Sequence, residues 1–357
     1  MFEPPRCPYR RCPRHADPGP RFFIRRGSYV ARCRPRPIPR FRCRTCGRTF
    51  SRQTFRADFR DRKPHLNTRV IESLCSGVGF RQTARVIGMT RNNLEAKARK
   101  ISRNADRLDR NLLARAAARN ALSNRGGEQK IHFDEFETYE TRRNTRPLTI
   151  AVLIETETRL LVGRTAAPIR PRGRMTAQRR AAIAAEEARF GPRKDRSRVA
   201  CRWAFRAAAR LRPTASVIVL RTDEKTTYPG LALRAFPGRA VAHLRTPSVM
   251  HRDELNPLFP INHTEALLRD LVGRVRRESW LVSKLRTYLN LHLGLYAAWR
   301  NWVRPRFNRD AESPGQLAGF AARRLSRQEL VGWRQDWGRL SPCPFGDGAL
   351  AVGETVG

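Results

Sequence analysis

Two close cysteine pairs constrain the beginning of this chain more than any other feature. Cys7 and Cys12 form a C-x4-C pair, and Cys43 and Cys46 form a C-x2-C pair within FRCRTCGRTFS. Gly47 follows Cys46 at a place where a tight knuckle turn needs a residue free to take positive φ. Two knuckles about thirty residues apart are the arrangement of a zinc ribbon, in which four thiolates close a tetrahedral structural site. The metal then supplies folding energy that the Arg-, Pro- and Phe-rich residues 1–63 have too few apolar side chains to supply. Cys33 and His15 are expected outside that shell, and Cys75, Cys201 and Cys343 as ordinary thiols. The competing reading is a set of unrelated reduced cysteines.

Charge narrows the partner. Among 357 residues, 73 Lys and Arg stand against 31 Asp and Glu, a formal charge of +42. Such an excess calls for a polyanion, and double-stranded DNA is the expected one. The bias is mostly arginine, whose planar fork suits phosphate, although a GC-rich genome also raises arginine. No stretch approaches the roughly 20 apolar residues needed to span a bilayer. The N-terminal MFEPPRCPYRRC has no apolar core of a signal peptide. Eight cysteines are too few for a disulfide scaffold in a chain of this length. The expectation is a cytoplasmic, nucleoid-associated protein with no membrane partner.

Residues 64–104 change to helical spacing. Val70, Ile71 and Leu74 line a first helix; Phe80, Ala84 and Ile87 line a second, broken at Gly88. Thr90 suits the N-cap of a third helix with Leu94, Ala98 and Ile101 as its core face. This is the pattern of a helix-turn-helix, whose third helix would present Arg91, Asn92, Asn93, Lys97 and Lys100 to a major groove. The competing reading is a basic helical hairpin used for packing. A polar, helix-forming linker is expected over 105–127.

Strand patterns follow. IHFDEFETYE (131–140) is β-prone, LTIAVLIE (148–155) is a near-continuous apolar run, and RLLVGRTAA (159–167) can pair with it. ACRWAFRAAARL (200–211) reads as a helix with Cys201, Ala204, Phe205, Ala208 and Leu211 on one face. SVIVL (216–220) and AVAHL (240–244) add two strands, and helices are expected near 264–277 and 283–303. Three strands, a helix, a strand, a helical turn and a strand make the order of a ribonuclease-H-like sheet. The expected fold is therefore multidomain, α+β and α/β: a zinc ribbon (1–63), an all-α helix-turn-helix (64–104), a linker, and a ribonuclease-H-like mixed sheet flanked by helices (128–305). A basic insertion occupies 168–198, and a C-terminal extension (306–357) ends in a tail expected to be unstructured.

Carboxylates are exceptions in so basic a chain. Asp134 within one strand and Asp223 just past another are the natural first two ligands for Mg²⁺ or Mn²⁺ in phosphodiester cleavage, which needs carboxylates gathered from distant segments. Glu135 and Glu224 follow them as supporting partners.

INHTEALLRDLVGRVRRESWLVSK (261–284) resembles the segment after the last catalytic strand in small insertion-sequence transposases of the DDE type, with its LRxxLxRLxRKxxxxSK run. Leu268, Arg269, Arg274, Arg277, Ser283 and Lys284 match without a gap; Val272 and Val275 stand for leucines, and Glu278 replaces a lysine. IHFDEFETYE and VIVLRTDEKTTYP resemble the family's two catalytic aspartate segments. The ribbon and helix-turn-helix come in the family's order, so the resemblance runs from about residue 7 to 305. It implies a transposase that binds element ends as a homo-oligomer and carries out metal-dependent strand cleavage and strand transfer. Arg269, Arg274, Arg276, Arg277 and Lys284 would then neutralise phosphates.

One departure stands out. Counting back from Arg269, the family's catalytic glutamate falls on Asn262. Either Asn262 is itself the ligand through its side-chain oxygen, or Glu265, one turn later, or the more distant Glu254 substitutes; a catalytically decayed relative that only binds DNA is the alternative. His263 reads either as a ligand or as packing. Tyr288, Tyr296, Trp299 and Trp302, at helical spacing, read as core.

Overall fold

Phenylalanines and cysteines, rather than aliphatic residues, build the N-terminal unit. The computed structural model describes residues 2–122, 127–276, 280–332 and 334. A short helix α1 (Pro13–Ala16) precedes three antiparallel strands in the order β1 (Phe23–Tyr29), β2 (Ile38–Cys43) and β3 (Thr49–Ser51). Phe22, Phe41, Phe50 and Phe55 pack with Cys7, Cys12 and Cys43 into a small separate core. Gly47 takes φ +69° as the knuckle turn requires, and its N–H closes the turn onto the Cys43 carbonyl at 3.0 Å.

Three helices follow: α2 (Asn67–Leu74), α3 (Phe80–Val86) and α4 (Arg91–Leu122). Val70, Ile71, Leu74, Ala84, Leu94, Ala98 and Ile101 are buried together, as their spacing predicts. Gly88, at φ +65°, turns the chain after α3, and the Thr90 hydroxyl accepts from the Asn93 N–H at 3.4 Å. The expected linker does not separate two units. Residues 105–122 are the second half of α4, and Ala105, Leu108, Leu112 and Ala116 are buried in the main core; residues 123–126 lie outside the described ones. The fully buried Asp109 of α4 accepts from the Asn301 amide (3.0 Å) and Trp302 indole (2.8 Å) and pairs with Arg164 (2.6 Å). A buried carboxylate held by three donors fixes the helix in place, since leaving any of them unpaired is costly.

The main sheet has the order β6-β5-β4-β7-β8. Strands β4 (Glu128–Tyr139), β5 (Pro147–Glu155) and β6 (Leu161–Pro168) are antiparallel neighbours; β7 (Val217–Asp223) and β8 (Ala240–Thr246) continue the sheet in parallel from β4. Every residue of β5 is buried, which explains its unbroken apolar run. Helix α5 (Ala177–Phe190), in the basic insertion, buries no side chain, whereas α6 (Ser197–Leu211) lays Ala200, Cys201, Ala204, Phe205, Ala208 and Leu211 against one face of the sheet. A short α7 (Tyr228–Ala235) joins β7 to β8.

The opposite face is covered by α8 (Phe259–Leu271) and α9 (Arg286–Trp302), through Ile261, Leu268, Leu289, Leu293 and Tyr296. Helix α8 begins earlier than its apolar spacing suggests, with a proline in its first turn, and ends before Gly273. Tyr296 and Trp302 are fully buried, and Trp299 packs beside them, in keeping with a core role. The C-terminal extension is not all tail: α10 (Pro314–Leu317) lies against α9, and Phe320, Leu325 and, in α11 (Arg327–Gly332), Leu330 join the main core. The expected unstructured tail lies outside the described residues. Among the described residues no helix is long and apolar enough to cross a membrane.

Candidate metal centres and nucleic-acid surface

The four ribbon cysteines meet. One ligand atom from each of Cys7, Cys12, Cys43 and Cys46 lies within 4.8 Å of all the others. Cys7 Sγ is 3.7 Å from Cys46 Sγ, and Cys12 Sγ is 3.8 Å from Cys43 Sγ. A tetrahedron with zinc–sulfur bonds of about 2.3 Å has edges of about 3.8 Å, so the donor set and its size fit a metal such as zinc. Burial opposes ionisation at Cys43, but hydrogen bonds from the Cys46 and Thr45 backbone outweigh it and bring the thiol down to about 7. Cys33 is outside the group, and the His15 ring is turned to the Cys7 carbonyl at 2.8 Å.

Asp134 and Asp223 come together because their strands are parallel neighbours. The last registered pair is His132 with Arg221, and each aspartate lies two residues further along. Asp134 pairs across β5 with Val152, whose side chain belongs to the core under α8 and α9, so both aspartates share that face. Burial pushes the Asp134 carboxyl up to about 6, and the Asp223 charge adds to it, while the Glu135 N–H and the Arg252 charge oppose. The N–H bond to Glu135 is 2.6 Å. Asp223 Oδ1 accepts from the Lys225 N–H at 3.1 Å.

The neighbours differ in their placement. Glu135 points to the opposite face, where it forms an ion pair with Lys225 and accepts from the hydroxyls of Tyr228 (3.0 Å) and Thr149 (3.1 Å). Glu224 is exposed. His132, on the aspartates' face, donates from Nε2 to the Pro257 carbonyl (2.9 Å), leaving Nδ1 to accept from Thr156 (3.0 Å). Burial holds it neutral, down to about 4. It thereby anchors the loop that starts α8 over the sheet.

Asn262 and Glu265 both lie on α8; Asn262 is half-buried and Glu265 is buried. Among the described residues, no third carboxylate or histidine joins the two aspartates in a close ligand group, so Glu265 and the exposed Glu254 stand apart from them. His263 is packed, stacked on Phe259 at 5.7 Å and edge-on to Phe307.

Of the residues expected to touch DNA, Arg91, Asn92 and Asn93 are exposed at the start of α4, with Arg91 paired to Glu95 at 2.8 Å. Lys97 is a correction: it is buried, bonded to Asp61 (2.9 Å), Asn67 (2.6 Å) and the Lys63 carbonyl (3.0 Å). Lys100 is half-buried and donates to the Phe59 carbonyl. Arg274 is also turned inward, 4.3 Å from the Phe80 ring and bonded to Ser283 (3.2 Å), with burial bringing it down to about 10. Arg269 lies over the Phe136 ring at 4.8 Å, Lys284 is exposed, and Arg277 lies outside the described residues. No protein-family model matches the chain, and no curated protein matches it significantly.

Proposed function

We propose that this chain is a metal-dependent DNA-cleaving and strand-transferring protein of the insertion-sequence transposase type. The observation that carries the reading is the convergence of Asp134 and Asp223 on one face of the sheet, where burial and then the Asp223 charge raise the cost of ionising Asp134. Two carboxylates forced together in partial burial are a poor arrangement for packing and a good one for a divalent cation. The strand order, three antiparallel then two parallel, is that of a ribonuclease-H-like nuclease and supports the same reading.

In this mechanism Asp134 and Asp223 would hold Mg²⁺ or Mn²⁺, which would supply charge stabilisation at the scissile phosphate. Asp134 must be ionised to do so. The Lys225 N–H holds Asp223 Oδ1, and His132 fixes the Pro257 carbonyl in the loop that leads into α8, the helix that carries Asn262. The four-cysteine ribbon holds a structural zinc ion and does no chemistry. Exposed Arg91, Asn92 and Asn93 approach base edges, while the basic surface grips phosphates and adds no sequence preference.

A second reading has a specific observation behind it. The described carboxylates close to the aspartates supply no third ligand. A relative that has lost its chemistry and keeps only DNA binding would look the same. Cleavage of duplexes carrying the element's own ends, with Mg²⁺ or Mn²⁺, separates the two. The transposase reading expects cleavage lost in Asp134→Ala and Asp223→Ala and in either Asn262→Ala or Glu265→Ala. Specific binding with no cleavage under either metal sinks it and leaves the second reading.

A further inference from the structure

Three nitrogen-bearing side chains surround the ring of Phe307. The Arg306 guanidinium lies over it at 4.9 Å and that of Arg159 at 6.0 Å, and the His263 ring stands edge-on to it at 5.7 Å. They come from separate segments: Arg159 from the turn between β5 and β6, His263 from the first half of α8, and Arg306 from the chain just after α9. Arg300, in the last turn of α9, and Arg304 add two more guanidiniums nearby, since both act on the charge of His263.

Most of these arginines have partners. The buried Arg300 donates to the carbonyls of Pro305 and Arg306, at 2.8 Å each, and Arg304 lies over the Trp299 ring at 5.2 Å. Arg306 pairs with Asp310 (2.8 Å) and donates to the Glu157 carbonyl (3.0 Å). Arg159 differs. Its Nη1 is buried without a hydrogen-bond acceptor, although the residue as a whole is only half-buried. The carboxylates of its own turn are engaged elsewhere, Glu155 with Arg212 (3.0 Å) and Glu157 with Lys130 (3.4 Å). Burial, then the charges of Arg306 and Arg300, bring the Arg159 guanidinium down to about 10. Burial, then Arg159, Arg300 and Arg304, lower the His263 imidazole. Among the described residues, the charges acting on these two are therefore all arginines.

The cluster adjoins the face that carries the aspartates. His132 lies two residues before Asp134 on β4, about 7 Å along the same face. It accepts from Thr156, in the turn that carries Arg159, and donates to the Pro257 carbonyl, in the loop that leads to α8 and His263. We infer that Arg159, with His263 and Arg306, forms an anion site that takes a phosphate group of the DNA backbone, outside the two aspartates. The choice of DNA over a free phosphate rests on the function proposed above. A phosphate oxygen supplies the acceptor that the Arg159 fork lacks, and a neutral imidazole keeps one N–H to donate. Phe259, stacked on His263, and Phe307 give the site an apolar wall, which strengthens each of these contacts by excluding water.

The test uses full-length protein without divalent metal, and inorganic phosphate is the first probe. Wild type, Arg159→Asn, Arg159→Lys and a charge-matched control, Arg202→Gln at an exposed position of α6, are melted in chloride and in phosphate at equal ionic strength. Asparagine tolerates the φ of +59° at residue 159, so the first variant removes the charge without straining the turn. In chloride, Arg159→Asn should melt no lower than wild type, because one of several converging like charges has gone. Phosphate should raise the melting temperature of wild type and control, and that of Arg159→Asn less than half as much. The second arm measures binding of a duplex of arbitrary sequence. Arg159→Asn should lose affinity on the order of fivefold, with the salt slope of log K lowered by about one, while the control loses little and Arg159→Lys keeps the slope. An Arg159→Asn protein that melts well below wild type in chloride would make Arg159 a structural residue and overturn the site. Equal phosphate shifts in Arg159→Asn and wild type would overturn it as well. A phosphate shift lost while duplex affinity and slope stay unchanged would overturn the assignment to DNA and leave a site for a free phosphate-bearing molecule. Neither arm contains metal, so absent cleavage at the aspartates leaves the result standing, and the phosphate arm reads the site even if the protein binds no DNA.

Discussion

Glu135 and Lys225 form an ion pair on the sheet face opposite the two aspartates, although each is close in sequence to one of them. Glu135 follows Asp134 on β4, and the Lys225 backbone N–H binds Asp223. The pair therefore ties the strand bearing one aspartate to the turn bearing the other. The Glu135 side chain is 5% exposed, so removing its partner leaves a buried charge. Lys225→Met, which keeps an unbranched side chain but removes the ammonium that lies over the Tyr228 ring, should destabilise the protein by about 1–3 kcal/mol. It should also slow metal-dependent cleavage on the order of tenfold, with duplex affinity unchanged. Urea melts and cleavage rates check both; a folded variant with wild-type cleavage would make the tie purely structural.

Asp134 gives a pH dependence of opposite sign for stability and for chemistry. Its carboxyl ionises near about 6 in the fold, against 3.8 ordinarily. Between those values the unfolded chain has already lost the proton that the fold retains. The metal-free protein should therefore lose stability as pH rises from about 4 to about 6, by roughly 3 kcal/mol in all. Asp134→Asn should melt higher than wild type at pH 7.5 without metal and should match it near pH 4. Mg²⁺ or Mn²⁺ should raise the melting temperature of wild type alone, and cleavage should fall as pH drops through about 6. A variant no more stable than wild type at pH 7.5 would show that the aspartate pair carries no strain.

Much of this was legible in the sequence where one face decides an element. The apolar run 148–155 reads as a strand covered on both sides, and the two cysteine pairs read as one ligand group, which their closeness in the fold matches. Directions that depend on distant partners were not legible. Lys97 and Lys100 sit among the positions of α4 expected to face a groove, yet Asp61 and the Phe59 carbonyl draw them inward from a segment with no regular pattern. The second half of α4 reads as a linker because Arg and Asn separate its buried Ala105, Leu108, Leu112 and Ala116, leaving a narrow apolar stripe. Glu135 looked like a neighbour of the site because it follows Asp134, but strand alternation sends it through the sheet. The third ligand was ambiguous for a similar reason: Asn262 and Glu265 share one helix, and only packing distinguishes their directions.

The ribbon should depend on its metal. Its buried core is only seven side chains, three of them candidate ligand cysteines, with Phe2, Tyr9, Phe23 and Cys46 packed against it. Purified protein should carry about one Zn²⁺ at this site. Chelation, or Cys43→Ser, should raise amide exchange throughout the three-stranded sheet while β4 to β8 stay protected. Chelation should also make four further thiols reactive. Protection of the sheet that survives complete metal removal would show that the phenylalanine cluster folds unaided.

Two asparagines on α9 should matter more than their type suggests. Strand β6 is the edge of the main sheet, and an exposed edge invites pairing with another chain. Asn290 receives the Ala166 N–H (2.8 Å) and donates to its carbonyl (3.2 Å); Asn301 does the same for Leu161, at 2.9 Å each way. The two lie about three helical turns apart, roughly 16 Å, which is also the length of about five strand residues. The helix thus stands in for a missing strand at two points. Asn301 is fully buried and also bonds Asp109, so Asn301→Ala leaves three polar groups to find new partners. It should cost about 3 kcal/mol or more, and the half-buried Asn290→Ala about 1–2 kcal/mol. Urea denaturation gives the difference, and light scattering at raised concentration shows whether the uncovered edge recruits a second chain. An Asn301→Ala protein within about 1 kcal/mol of wild type would mean that water or a neighbouring side chain closes this edge as well as the asparagine does.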